Sequence, residues 1–336
     1  MAMEITSKHR EAKAAAVKRF LGTGKQFEEL TALAASTRPE HNVVGVGIGP
    51  KITRGKTTGT AAIRFYVEKK VSERAMRSEY VIPKTIGGIT TDVIETGRFY
   101  ALKGTKPIAQ TRVRPARPGC SVGFRFTGSK AGFVMAGTFG ALVADKAGNH
   151  HVLSNNHVLA NENALPLGSP IFQPGLLDGG DPKKDRIARL TRFIRIRPTP
   201  TANKVDTAIA ALLAPNLAVR TVLPKIGNLA SSSPVPAAVN MRVHKHGRTT
   251  GYTTGHVVDI AADVNVGYDF GTARFVDQMI IVGNAGASFS NAGDSGSLIV
   301  DRGTSRATGL LFAGSASHTI ANHIQDVLAA LKVTLL

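Results

Sequence analysis

Three short sequence motifs hold side chains that together suit nucleophilic catalysis. His157 lies in LSNNHVLA, Asp206 in KVDTAIAAL and Ser295 in NAGDSGSLIVD. A serine hydroxyl is a weak nucleophile that needs a base nearby, and imidazole suits that task at neutral pH. A carboxylate embedded in an apolar run suits the task of orienting the imidazole and stabilising its charged form. The three residues are therefore candidates for one catalytic triad.

The residues around Ser295 are small, which would let a carbonyl group approach the hydroxyl. Gly293 and Ser295 are the expected donors of two backbone N–H groups to an oxyanion. By itself, GDSG also fits a glycine-rich turn with an ordinary serine. However, the order His157, Asp206, Ser295, with separations of 49 and 89 residues, is that of chymotrypsin-type enzymes and not of subtilisins or α/β-hydrolases. Three motifs in this order favour catalysis over coincidence.

The three motifs resemble the active-site blocks of trypsin-like, S1-type serine peptidases of the chymotrypsin fold. More narrowly, the chain resembles an intracellular branch found in bacteria, to which the plant narrow-leaf-type trypsin-like proteases are similar. The runs GRTTGYTTGHVVDI, GLLFAGS, GVGIG, AAIRFYVEKK and IPKTIGGITTDVIETG carry the same resemblance, which covers residues 40–336. It implies two six-stranded β-barrels, with His157 and Asp206 from the first and Ser295 from the second. The implied activity is that of a serine endopeptidase with restricted intracellular protein substrates.

The resemblance also implies residues that contact the substrate. Phe289, six residues before the nucleophile, is expected at the base of the primary pocket, and the absence of an Asp there suggests apolar or small P1 side chains. Phe312, Ala313 and Gly314 are expected to form the edge that pairs with substrate backbone as an added strand.

Secreted members of the family are activated when a new N-terminal amine pairs with the carboxylate just before the nucleophile. That carboxylate is Asp294 here, and no activation sequence is visible, since Arg117 is followed by Pro118. We therefore expect Asp294 to have another partner and the full-length chain to be competent without processing.

The wider pattern predicts a mainly β fold with helices at both ends. Helical spacing over residues 4–36, interrupted at Gly22 and Gly24, predicts two helices, and TIANHIQDVLAALKV predicts a closing helix. Between residues 119 and 318, short apolar runs alternate with glycine-rich turns, which favours barrels. The runs NVVGVGIGP and GTAAIRFYVEKK predict a hairpin. Four parts are predicted: an N-terminal helical segment (1–39), a small α/β subdomain (40–103), a basic proline-containing linker (104–118) and the protease domain (119–336).

Composition bounds the partners and the compartment. The 336 residues carry a net charge of +19, which would attract polyanions, so nucleic acid is a possible partner. The basic residues are spread out without interleaved aromatic residues, which favours an ordinary basic surface. The single cysteine, Cys120, cannot form an intramolecular disulfide, which indicates a reducing compartment. Without an apolar run of signal-peptide or membrane-spanning length, the expected location is cytoplasmic and no membrane contact is expected.

Neither a metal nor a cofactor is expected. His244 and His246 share one face of a predicted strand, but no third ligand has suitable spacing. Protein or peptide substrates and a homo-oligomer are the remaining expected partners. Two alternatives stay open: a protease fold kept as an interaction or regulatory scaffold with little activity, and a nucleic-acid-associated protein.

Overall fold

The computed structural model describes residues 5–21, 42–53, 55–101, 111–223 and 225–336, with the backbone alone at Ala75, Tyr100, Ala101, Ser129 and Ala285. Strands dominate these residues, which confirms the prediction of a mainly β fold. The second predicted N-terminal helix and residues 104–110 of the predicted linker lie outside the described residues.

In the described residues, the N-terminal part contains one α-helix and a small group of strands. The elements are α1 (Ser7–Phe20), β1 (Val43–Thr53), β2 (Lys56–Val67), β3 (Thr85–Ile86), β4 (Ile89–Glu95) and β5 (Tyr100–Ala101). The predicted hairpin is confirmed, since β1 and β2 pair antiparallel, and β4 joins β2 in parallel. Ala12 and Ala16 of helix α1, and Leu21 just after it, are buried against the apolar face of β1 and β2. Burial of this face helps to hold the helix, since most helical stability in proteins comes from tertiary packing of an apolar face.

Seven short strands and one helical turn form the first barrel. They are β6 (Ser121–Val122), β7 (Gly137–Thr138), β8 (Ala141–Asp145), β9 (His150–Ser154), α2 (Asn156–Leu159), β10 (Pro170–Phe172), β11 (Arg186–Phe193) and β13 (Ala208–Leu212), while β12 (Ala202–Asn203) pairs outside the barrel. The strands β10, β11, β13, β9 and β8 pair in that order. The ring closes because β6 pairs with β7 and because Gly123 and Phe172 exchange backbone hydrogen bonds of 3.2 and 2.8 Å.

The second barrel is a ring of six antiparallel strands. They are β14 (Arg242–Gly247), β15 (Gly251–Tyr268), β16 (Gly271–Gly283), β17 (Leu298–Asp301), β18 (Ala307–Gly314) and β19 (His318–His323). Ring order is β14, β15, β16, β19, β18, β17 and back to β14. The two barrels confirm the predicted fold class. Strand β15 extends beyond the ring and pairs with β1 at Gly45 and Val46, so one sheet continues from the barrel into the N-terminal part.

The C-terminal segment joins the barrels. Helix α3 (Ile324–Leu331) buries its apolar face among residues of both barrels, and β20 (Val333–Leu335) pairs with β8. The closing helix is confirmed, but its predicted start at Thr319 is wrong. Residues 319–323 belong to β19 because pairing with β16 and β18 on both sides outweighs the local helical spacing. The four-part division of the chain stays a prediction.

Within the described ranges, no helix has the length and apolar character needed to cross a membrane.

Candidate active site

His157 and Asp206 are brought together by the pairing of two strands in the first barrel. Strand β9 ends at Ser154, and the chain turns through Asn155 into the helical turn that holds His157. Asp206 precedes β13, and Ala208 of β13 pairs with Ser154. As a result, His157 Nδ1 and Asp206 Oδ2 lie 2.6 Å apart. Both side chains are fully buried, so this contact is a charge-assisted hydrogen bond shielded from water.

The Asp206 carboxylate receives further hydrogen bonds that fix its orientation. Its Oδ1 accepts the backbone N–H groups of Asn156 at 2.7 Å and His157 at 3.3 Å, and its Oδ2 accepts the Tyr268 hydroxyl at 2.8 Å. The backbone N–H of Asp206 donates to Asn322 Oδ1 of the second barrel at 3.0 Å. Donors from both barrels therefore hold a buried carboxylate that would otherwise be costly to keep charged.

Tyr268 is a member of the site that the sequence did not indicate. It ends β15, next to the tight turn into β16, and its ring stacks on that of Phe270 with centroids 5.3 Å apart. Burial, together with the charge of Asp206, raises the pKa of the Tyr268 hydroxyl well above its ordinary value. It therefore stays protonated and donates to Asp206. The sequence did not indicate Tyr268 because no motif accompanies a tyrosine at the end of a hairpin.

Ser295 lies at the junction of the two barrels. Thr138 of the first barrel donates its backbone N–H to the Ser295 carbonyl at 2.7 Å and its hydroxyl to the Gly293 carbonyl at 3.0 Å. A Cβ atom added to Gly137 would lie 2.5 Å from the Val158 side chain and 3.0 Å from the Ser295 carbonyl oxygen. The peptide of Ser295 is thus a close neighbour of the residue that follows His157.

The hydrogen bond between serine and histidine is not made in this arrangement. Ser295 Oγ donates to the Phe312 carbonyl over 3.4 Å, a long distance for a hydroxyl donor. In the described part of the chain, His157 Nε2 has no hydrogen-bond partner and is buried. Ser295 is 0% exposed and His157 is 2% exposed. His157 and Asp206 of the predicted triad are therefore hydrogen-bonded to each other, while the Ser295 hydroxyl is directed to the Phe312 carbonyl in a buried site.

Gly293 adopts a conformation that suits glycine. Its φ is +92°, and an added Cβ would lie 2.4 Å from both Arg248 Nη1 and Thr249 Oγ1. The N–H of Asp294 donates to Asn291 at 3.0 Å. Among the described residues the N–H of Gly293 makes no hydrogen bond, so this donor is available to an oxyanion.

Asp294 has an internal cationic partner, which confirms that expectation. Lys245 Nζ of β14 lies 3.1 Å from Asp294 Oδ2, and both side chains are 0% exposed. Asp294 also accepts the backbone N–H groups of Thr249, Thr250 and Asn291 at 2.9, 3.1 and 3.0 Å. Burial lowers the pKa of Lys245, and the charge of Asp294 opposes that effect. A lysine from within the barrel is thus the cationic partner of the carboxylate that precedes Ser295.

A second buried ion pair crosses between the barrels beside Gly293. Arg248 makes two hydrogen bonds of 2.6 Å to Asp178, and neither side chain is exposed. Bidentate pairing of this kind fixes geometry as well as charge. No sequence motif indicated this pair, because Asp178 and Arg248 come from different barrels and lie 70 residues apart.

The residues expected to contact substrate lie in two places. Phe289 is 1% exposed and packs in the apolar interior of the second barrel, with Lys245 Nζ 5.9 Å from its ring centroid. Phe312 packs against Phe275 with centroids 4.7 Å apart, and its carbonyl accepts from Ser295. Ala313 and Gly314 end β18 beside it. A substrate role for these four residues stays a prediction.

The remaining residues that the sequence analysis singled out are His244, His246 and Cys120. His244 and His246 both have a pKa lowered first of all by burial. In the described ranges, no group of three His, Cys, Asp or Glu side chains is arranged for a metal ion. Cys120 is buried, as expected, and burial raises the pKa of its thiol to about 12.

Comparisons with known proteins give distant relatives. A family model described as the Nal1 C-terminal domain matches residues 214–326, a range that includes Ser295 but not His157 or Asp206. Protein NARROW LEAF 1 of Oryza sativa subsp. japonica is 26% identical over 319 residues, which cover 82% of this chain and 51% of that protein. The chain therefore spans about half the length of this curated relative.

Several solved protease structures are also similar to this chain. A glutamic-acid-specific serine protease is 18% identical with a TM-score of 0.46, covering 66% of this chain and 100% of that chain. Nocardiopsis protease is 16% identical with a TM-score of 0.46, covering 66% and 99% of the two chains. Thermobifida fusca Protease A is 15% identical with a TM-score of 0.45 over the same shares. The chain is thus similar to Nal1 in sequence and to serine proteases in structure.

Proposed function

We propose that this chain is a serine endopeptidase in which His157, Asp206 and Ser295 form the catalytic triad. The observation that carries the proposal is the 2.6 Å hydrogen bond between the buried His157 Nδ1 and Asp206 Oδ2. It commits one ring nitrogen to the carboxylate and leaves Nε2 as the nitrogen that can accept a proton. A buried imidazole held in this way is poised as a general base.

In the proposed reaction, Ser295 Oγ rotates away from the Phe312 carbonyl and donates its proton to His157 Nε2. The oxygen then attacks the peptide carbonyl carbon, and the resulting oxyanion is held by the N–H groups of Gly293 and Ser295. The imidazolium returns the proton to the leaving amine, which breaks the C–N bond and leaves an acyl-enzyme. Water repeats the sequence and releases the acid. Hydrogen bonds of this type often tighten only when substrate is bound.

Two further contacts support this machinery. Tyr268 donates to Asp206 and is assigned as a positioning residue, because it acts on the imidazole through the carboxylate. The Lys245–Asp294 pair holds the nucleophile turn from within the barrel. We infer that the chain is competent without proteolytic processing, since the cation that would otherwise come from a new N-terminus is already in place.

The proposed substrates are proteins or extended peptides, with an apolar or small P1 side chain next to Phe289. We also propose that the chain belongs to the intracellular branch that its motifs resemble. The proposed location is cytoplasmic and reducing, which suits a chain with one cysteine. Neither a cofactor nor a metal takes part in the proposed chemistry. Self-association and nucleic-acid binding stay predictions.

One alternative function has an observation in its favour. The closed site, with Ser295 0% exposed, also suits a protease fold that serves as an interaction or regulatory scaffold with little activity. Reaction of Ser295 with a small electrophile separates the two functions, because a scaffold has no need of an activated serine.

The test is labelling of the full chain by a fluorophosphonate, followed by peptide-library hydrolysis. Wild type is expected to be labelled at Ser295, and both Ser295→Ala and His157→Ala are expected to lose labelling. Ser295→Ala should lower kcat/KM by at least about 10,000-fold. The matched control is Ser297→Ala, which removes a hydroxyl two residues away that donates to the Asp294 carbonyl at 2.6 Å, and it should keep the label. Folded wild type without labelling would favour the scaffold.

A further inference from the structure

The edge of β18 that the resemblance assigns to substrate already has a strand on it. On one side, Ala313 and Gly314 pair with β19. On the other side, β17 accompanies β18 only as far as Leu310, with hydrogen bonds continuing to Leu311. Strand β17 therefore leaves the backbone of residues 312–314 to another strand on that side, which is the geometry that lets an extended peptide add as a strand.

Strand β5 of the same chain occupies this opening. Tyr100 pairs with Gly314 and Ala101 with Ala313, and the direction is antiparallel. On its other side Tyr100 pairs in parallel with Gly267, the residue before Tyr268. The β5 backbone thus lies between the predicted substrate edge and the strand end that supports Asp206.

The approach to β5 is anchored by buried and charged contacts. Phe99 is 3% exposed and belongs to the same apolar cluster as Phe312 and Ala313, with its ring centroid 6.3 Å from that of Tyr66. One residue earlier, Arg98 pairs with Glu68 at 2.7 Å. These contacts hold β5 against the barrel although the strand itself is only two residues long.

The closed state of the site is consistent with this occupancy. Ser295 and His157 are almost completely buried, whereas a peptide carbonyl must reach Ser295 Oγ for the proposed reaction. A substrate backbone paired with residues 312–314 would also occupy the positions that Tyr100 and Ala101 hold.

We propose that β5 is an internal occupant of the substrate edge, and that an extended peptide binds there only when β5 leaves. This inference rests on the proposed function for its meaning, but its test does not depend on catalysis. If β5 is docked in about nine-tenths of the molecules or more, peptide affinity is reduced at least about tenfold, because only the undocked fraction is competent.

Peptide binding to the inactive Ser295→Ala chain provides the first test. The probe is a fluorescent synthetic peptide with the sequence GRFYALK of residues 97–103, measured by fluorescence anisotropy. Adding Phe99→Ala should tighten binding at least about tenfold. The matched control Phe20→Ala truncates a phenylalanine that packs on Phe65, 5.2 Å away in the N-terminal part, and should leave binding unchanged. A peptide N-methylated at its central tyrosine and alanine should not bind.

Equal affinity with and without Phe99→Ala, or an equal gain from Phe20→Ala, would overturn the inference. A second measurement covers the case in which Phe99→Ala does not fold. Hydrogen exchange of the Ser295→Ala chain should show faster exchange at Tyr100 and Ala101 when saturating peptide is added, with residues 312–314 still protected. Unchanged exchange at β5 under saturating peptide would overturn it independently. Fluorophosphonate labelling separately reports whether the proposed function fails.

Discussion

At the scale of single residues, the site depends on how one carboxylate is held. Asp206 is fully buried and would be destabilising without partners. Its hydrogen bonds come from the backbone of the α2 turn, from His157 and from Tyr268. The tyrosine is the only one of these three donors that comes from the second barrel. It therefore couples the position of the imidazole to the packing of the two barrels.

Replacing Tyr268 by Phe tests this coupling. Loss of a hydrogen bond to a charged group costs roughly 1.5–3 kcal/mol, so kcat should fall about tenfold or more, with KM little changed. Steady-state kinetics measures kcat and KM separately.

Tyr252→Phe is the matched control for this substitution. It removes a hydroxyl that contacts His244 Nδ1 at 3.2 Å, away from Asp206, and should leave kcat and KM unchanged. If Tyr268→Phe lowered thermal stability alone, with both kinetic readouts unmoved, Tyr268 would be a structural residue and not a positioning one.

At the scale of elements, the turn that contains Ser295, the proposed nucleophile, is held by β14 through Lys245. Asp294 precedes Ser295 directly, so displacement of its carboxylate would move the serine and the Gly293 N–H together. An uncharged side chain at position 245 would leave a buried carboxylate without its cation. Breaking a buried pair in this way is far more costly than losing an exposed one.

Lys245→Met is expected to lower the free energy of unfolding by about 3–5 kcal/mol and to slow fluorophosphonate labelling of Ser295. Denaturant unfolding and labelling kinetics measure the two effects. Adding Asp294→Asn should restore part of the stability, because the uncompensated charge is then removed.

Lys204→Met serves as the control, since this half-exposed lysine pairs with Asp277 and Asp326 at the surface. It should cost less than about 1 kcal/mol. A loss for Lys245→Met no larger than that of Lys204→Met would mean that the buried pair does not hold the turn.

At the scale of the whole molecule, the N-terminal strands and the second barrel meet at a buried carboxylate. Asp259 of β15 accepts the Tyr66 hydroxyl of β2 at 2.9 Å and the Ala261 N–H at 2.8 Å. A Cβ on Gly47 would lie 1.9 Å from Asp259 Oδ2, so glycine is required for this approach of β1. Burial raises the pKa of Asp259 to about 6, although its hydrogen bonds oppose the shift.

The raised pKa predicts a pH dependence of stability. An unfolded Asp titrates near about 3.9, so between that pH and about 6 the folded chain binds the proton that the unfolded chain has lost. The stability that protonation of Asp259 contributes to the folded chain is therefore fully present below about pH 4 and is lost as pH rises through about 6. The free energy of unfolding of Asp259→Asn, relative to that of wild type, should therefore increase by up to about 3 kcal/mol between pH 4 and pH 7.

Denaturant unfolding at the two pH values measures this change. Asp326→Asn, which alters a carboxylate in an exposed pair, should follow the wild-type dependence. A constant difference in the free energy of unfolding between Asp259→Asn and wild type across this range would show that Asp259 does not titrate between the N-terminal strands and the second barrel.

Short motifs were enough to predict those features of the site that are local in the chain. The order and surroundings of His157, Asp206 and Ser295, the turn before His157, the glycine before Asp294 and the mainly β fold are all readable from short motifs, because turn chemistry and alternation act over a few residues. The need of Asp294 for an internal partner was also predictable, although the identity of Lys245 was not.

Tertiary structure alone decided the contacts between distant parts of the chain. Tyr268, at the end of the β15–β16 hairpin, donates a hydrogen bond to Asp206, and Arg248 forms an ion pair with Asp178 of the other barrel. Strand β5 of the N-terminal part pairs with the edge of β18. The same long-range pairing turned residues 319–323 from a predicted helix into a strand. Such contacts depend on strand register and on closure of the barrels. There, residues far apart in sequence form backbone hydrogen bonds and ion pairs with each other, so no local sequence pattern predicts them.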